Sequence, residues 1–187
     1  MDLRVPLQLK SMIKSMSDVV LPAIDPGNRM AQEQAQLILG MMHLMALRLP
    51  LQFHYDLDEL RRYLGLAQEL LQQRAGGAQS DACQRALGLS SAQAADVLAR
   101  AQAAPQDLES AVMDLRADIS ALVEALWQDG APEARAPAAR AVLAAATAQI
   151  ERERAWFAPQ GWDADTSTWR SIESLIDYPA NPSEPTP

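Results

Sequence analysis

The chain is short of the residues on which most recognisable chemistry depends. Of 187 residues one is cysteine, two are histidine and nine are aromatic. A single cysteine, Cys83, rules out an intramolecular disulfide, so folding needs no oxidising compartment. Cys83 with His43 and His54 falls short of a structural zinc set. Neither histidine has a glutamate three residues before it, which removes the Glu-x-x-His pairs of a carboxylate-bridged di-metal bundle. No metal and no cofactor is therefore expected. There is no Walker A loop, no Gly-x-Gly-x-x-Gly after a strand and no Gly-x-Ser-x-Gly elbow. No apolar run reaches the ~18–20 residues of a membrane-spanning helix, and the N-terminus lacks the h-region and cleavage site of a secretory signal. The expectation is a cytoplasmic chain. No stretch alternates apolar and polar residues with period two, so strands are not expected.

Charge of one sign is also scarce where it would matter. The net charge is −8, and all of the excess lies in residues 76–187. There eight arginines face sixteen acids, whereas residues 1–75 balance eight against eight. An acidic chain without a basic stripe argues against nucleic acid as a partner, because phosphate binding needs clustered Lys and Arg.

What is present is apolar and aliphatic. Hydrophobic residues make up 49% of the chain, with eight methionines and only 5% aromatics. A core of Ala, Leu and Met favours helices. Pro6 opens a first helix to about Leu21, with Leu9, Met12, Ile13, Met16, Val19 and Val20 at helical spacing. Its basic side (Arg4, Lys10, Lys14) fits either a solvated face or a helix lying on a membrane. Asn28 is placed to cap a second helix that Pro50 ends. Asp56 and Glu59 form a capping-box-like start for a third, which stops at Ala75–Gly77. Residues 78–104 predict one or two short helices. From Pro105, Leu108, Val112, Leu115, Ile119, Leu122 and Leu126 follow a four-three-four-three spacing, the a/d seam of bundle packing. A helix over about 137–157 is expected to bury Val142, Leu143, Ala146, Ile150 and Phe157. A short terminal helix is expected to bury Trp169, Ile172, Leu175 and Ile176. The expected architecture is all-α, an antiparallel bundle of about five or six helices in one domain, 1–178. A Pro-rich tail, 179–187, is expected to be disordered.

The stretch "LILGMMHLMALRLP", residues 37–50, sets Met41, Met42 and Met45 around His43, a soft-metal donor set on paper. At about 100° per residue, Met41, Met45, Ile38, Leu49 and Met42 share one broad face, with Met30 and Leu37 beside them. His43 falls on the far side with Gln32, Gln36 and Gly40. The methionines are therefore expected to wall a core or a pocket. In "FHYDLDEL", His54 beside carboxylates fits a general base or a helix-capping segment. Cys83 has no activating neighbour beyond Arg85. Arg152 and Arg154 flank Trp156 and Phe157, with Trp162, Trp169 and Tyr178 following. Such residues anchor interfaces or clamp a terminal helix onto its own domain, and both readings stand.

"VVLPAIDPGNRMAQEQAQLILGMMHLMALRLP" and "DLRADISALVEALWQDG", the latter followed by a helix ending "ERERAWFAPQGWD", together resemble a bacterial family. It comprises small uncharacterised helical proteins encoded near acyl-CoA dehydrogenases and aminoglycoside-phosphotransferase-like kinases. The resemblance covers roughly residues 15–160. Where that family ends in an asparagine-proline-aromatic turn, this chain has Ala155, Trp156 and Phe157. The resemblance implies a cytoplasmic accessory role near acyl-CoA metabolism, and it carries no functional residues with it.

Together these readings point to a non-enzymatic interaction or accessory module with a protein partner or a second copy, a dimer. Its interface candidates are Trp156, Phe157, Trp162 and Trp169. The alternative is a small-ligand-binding bundle or enzyme with an apolar pocket between helices, its polar candidates being His43, His54, Tyr55 and Arg61.

Overall fold

A computed structural model describes residues 4–100, 102–163, 165–176 and 178, and every regular element among them is helical. In chain order the α-helices are α1 (Val5–Ser15), α2 (Leu21–Ala23), α3 (Arg29–Arg48), α4 (Gln52–Leu71), α5 (Ala78–Ala99), α6 (Pro105–Gln128), α7 (Pro132–Phe157) and α8 (Ile172–Leu175). A π turn, Met16–Val20, joins α1 to α2, and a 3-10 turn, Ala158–Gln160, follows α7. The expected tail, 179–187, lies outside the described residues. The chain divides into two compact units. The first comprises Met1–Gln52 with Glu153–Ile172, the second Phe53–Arg152 with Glu173–Pro187.

The second unit is organised by the seam on α6. Leu108, Leu115, Leu122 and Leu126 are fully buried, and Val112 and Ile119 nearly so. Each such side chain contributes about 1.5–3 kcal/mol on leaving water, so a six-residue seam is enough to seat a helix. Against it pack Leu60, Leu66, Ala67 and Leu70 of α4, Leu87, Ala94 and Val97 of α5, and Ala134, Ala138 and Ala141 of α7.

Where one or two short helices are expected, residues 78–99 form a single helix of 22 residues. Gly88 does not break it, and buried Ser90 and Ser91 return their hydroxyls to the Leu87 carbonyl at 3.2 and 2.6 Å. Gly77 has no side chain with which to cap α5. Asp129, just beyond α6, does so across the fold, accepting from the N–H groups of Gln79 (2.7 Å) and Ser80 (3.0 Å). Those bonds, Gln79 first, hold the Asp129 carboxyl below its ordinary value.

Two expectations in this unit are corrected. The third helix begins at Gln52, so Asp56 lies inside α4 and not at its start; only Leu49–Leu51 separates it from α3. In α7 Val142 packs half-buried against the core as expected, but Leu143 at 67% exposure and Ile150 at 56% face outward, with Phe157 and Ala146 also exposed. The side turned inward is small: Ala134, Ala138, Ala141, Ala145 and Ala148 repeat at four-three-four-three and lead to Arg152. Alanines let backbones approach closely, so an alanine seam can outcompete a sparse stripe of larger residues for the core. Pro137 lies inside α7, one turn beyond its start.

In the first unit Pro6 sits in the opening turn of α1. Asn28 caps α3 as expected, its side chain accepting from the Ala31 N–H at 3.1 Å. Leu9, Ala35 and Leu44 are buried, whereas Met12, Val19 and Val20 are exposed. Ile13 and Met16 are half-buried, so the apolar positions of the first helix are covered only in part. Ile172, Leu175 and Ile176 are buried as expected, while Trp169 precedes α8 and is half-buried.

Candidate functional site

Helix α3 is held from two directions within the first unit. On one side it packs against α1. On the other it meets the segment after α7: Gln160 donates to the Gly40 carbonyl at 3.0 Å, and Gly40 has no Cβ to obstruct the approach. Buried Arg48 donates to the carbonyls of Ala155 and Trp156, both at 2.9 Å, and lies over the Trp156 ring. These carbonyls belong to the last turn of α7, which has no helical donors of its own to offer them.

Between these two contacts a broad apolar face of α3 is left uncovered. Met41 is 41% exposed, Ile38 50%, Leu37 53%, Met45 57% and Met30 69%. Met41 and Met45, expected to wall a core or a pocket, face solvent instead, because buried Leu44, Arg48 and Ala35 take the packed positions. His43 is exposed. Ile38 and Met42 also form one side of a groove of about 790 Å³. Its other side comes from Leu7, Met12, Met16 and Val20, with Gln8, Ser11 and Ser15 as its polar lining. No charged side chain lines it. Met42, with Met12 and Met16, thus borders a groove, while Met41 and Met45 face solvent.

The polar candidates separate. His54 is half-buried with its ring edge-on to Tyr178 at 5.0 Å and to Phe53 at 6.1 Å. The Tyr55 hydroxyl lies 3.3 Å from the Gln149 amide, and the Arg152 guanidinium covers its ring at 4.4 Å. Arg61 is exposed on α4. None of His43, His54, Tyr55 and Arg61 lines the groove.

Around Tyr55 lies a buried charge network that the sequence reading missed. Arg152 is fully buried, and its Nε lies 3.1 Å from Asp58. Asp58 also accepts from Arg62 at 2.7 Å, and Arg62 donates to the Leu175 carbonyl at 2.8 Å. Gln149 accepts from Arg152 at 2.6 Å. The signal for Arg152 is its position at the end of the alanine seam of α7; Asp58 has no such signature. Two guanidiniums closed on one carboxylate join α4, α7 and α8 in the second unit.

Nine aromatics are too few to be spent carelessly, and those near the end of α7 divide by role. Trp156 is covered by Arg48 and Trp169 by Arg154 at 4.0 Å, with Arg154 also 3.5 Å from Asp163. Phe157 and Trp162 stack on each other at 5.8 Å, Trp162 being 64% exposed. Gly161, with φ of +68°, makes the turn that brings Trp162 back. Asp165 accepts from the hydroxyl and N–H of Ser167, which keep its carboxyl below the usual range.

No family model, curated protein or solved structure matches the chain. Among the described residues no three His, Cys, Asp or Glu side chains gather to hold a metal ion, and no helix is long and apolar enough to cross a membrane.

Proposed function

We propose that this chain is a non-enzymatic helical interaction module of the cytoplasm, working through the apolar surface formed by α1 and α3. The observation that carries this reading is the uncovered run Met30, Leu37, Ile38, Met41 and Met45 beside the groove. Contiguous exposed apolar surface of several hundred Å² is uncommon on a protein that works alone, and it marks interaction sites. Methionine suits such a surface because its thioether side chain adapts to a partner's shape. The resemblance over residues 15–160 supports an accessory role close to acyl-CoA metabolism.

The test is recovery of interacting proteins from the source cell with the full chain and with Ile38→Glu, whose position is exposed and uncharged. The reading expects a defined protein, this chain included, that the variant no longer recovers. Equal recovery by both forms would dismiss the surface.

The groove itself favours a second reading, a small apolar ligand, since about 790 Å³ lies within the ~300–1,000 Å³ of ordinary ligand sites. Palmitoyl-CoA as a probe should then raise the melting temperature, and Ser11→Trp, which fills the groove, should abolish the rise. No shift with the native chain removes this reading.

A further inference from the structure

We infer that the partner of the α1–α3 surface is a second copy of this chain, docked face to face about a two-fold axis. The inference rests on the interaction reading and narrows it to one occupant. On α3 the uncovered residues form two parallel i±4 ridges. Met30, Gln34 and Ile38, continued by half-buried Met42, make one, and Leu37, Met41 and Met45, continued by Leu49 just past the helix, the other. All eight positions are uncharged. Ridges at this spacing pack into the furrow between the same ridges of another helix, the commonest way two helices cross. A surface built of two such ridges is complementary to itself, as a two-fold interface requires.

Charge and size agree with this choice. The first unit contains seven basic and seven acidic residues, so a pairing through it meets no net repulsion. The whole −8 lies in the second unit, where two copies would repel. Apart from buried Arg48, α3 carries only Arg29 and Glu33 as charges, and at about 100° per residue Lys10 and Lys14 fall on the side of α1 opposite Met12, so the apolar face itself has no basic residue to draw it to an anionic membrane. The contiguous helical run from α1 through α2, Val5–Ala23, has 19 residues and α3 has 20, each about 30 Å long, and two helices side by side span about 20 Å. The α1–α3 layer therefore offers about 600 Å² per copy, or about 1,200 Å² in total, above the ~1,000 Å² expected of a specific contact.

The experiment places a benzoylphenylalanine photo-cross-linker at Leu37 or Met45 of the full chain, both exposed, and irradiates the source cell and the purified protein. The expected product has twice the 20.4 kDa chain mass in both settings. The same probe at Leu143 of α7 should give none. Sedimentation should show a dimer that Met41→Glu converts to a monomer of unchanged helical content. A cross-link to a different protein overturns the second copy while the interaction reading survives. A cross-link confined to one chain, or none, overturns both.

Discussion

Arg152 is fully buried, and its guanidinium Nε lies 3.1 Å from a carboxylate oxygen of Asp58, whose side chain is itself almost covered. The arginine comes from a seam that is otherwise alanine, and the acid from a helix whose other buried residues are Leu and Ala. Asp58 is the counter-charge of Arg152, which Gln149 and the Tyr55 carbonyl also hold, and Asp58 keeps a second cation in Arg62.

Asp58→Leu should therefore cost about 3–5 kcal/mol in urea unfolding, because it strands Arg152 in a dry site. Arg152→Met should cost less, since Asp58 keeps Arg62. The double variant should recover most of the loss. Strictly additive single effects would show that the two residues are not coupled.

The contrast between the α6 seam and the α7 stripe is open to direct measurement. Leu115→Ala empties a fully buried site and should destabilise by about 2–5 kcal/mol. Leu143→Ala, at a position 67% exposed, should stay within about 0.5 kcal/mol. Equal losses at the two sites would mean that α7 buries the opposite face from the one described.

Asp129 predicts an acid dependence. Its carboxyl is held below its ordinary value by the N–H groups at the start of α5, so the folded state favours the ionised form. That contribution is complete above the unfolded value, about pH 3.9, and is lost as the pH falls through the lowered folded value. Asp129→Asn should lower the melting temperature at neutral pH, and the gap should close in acid. A gap independent of pH would indicate that the charge contributes nothing.

The glycines divide into those the fold needs and those it tolerates. Gly76 has φ of +88°, and a Cβ there would meet the Ala131 backbone nitrogen at 2.7 Å. Gly76→Ala should cost more than about 1 kcal/mol. Gly65 and Gly88 lie inside α4 and α5 with open space around the missing Cβ. Alanine at either should stabilise by about 0.5–1 kcal/mol. Thermal unfolding of the three variants should separate them by sign.

Helical class, the boundaries of α3 and the seam of α6 were legible because each depends on neighbours within a few residues. Asn28 caps, Pro50 stops, and a four-three repeat of Leu, Val and Ile has only one face to bury. The start of α4 was misread, since Asp56 has a capping pattern but sits one turn inside a helix that begins at Gln52. The Asp58–Arg152 network and the Asp129 cap join residues 94 and about 50 positions apart, and no local pattern announces them.

By itself, the sequence determined that the chain is helical, that it has large apolar stripes on α3 and α7, and that His43 cannot share a face with Met41 and Met45. Only the tertiary structure decided which stripes are covered. On α7 the alanine side won the core, because small residues allow the closest approach. On α3 the packed positions went to Leu44 and Arg48, leaving the methionine face open. Amphipathicity is a property of one helix, but burial depends on which neighbour arrives. Periodicity alone could not distinguish a core wall from an exposed face.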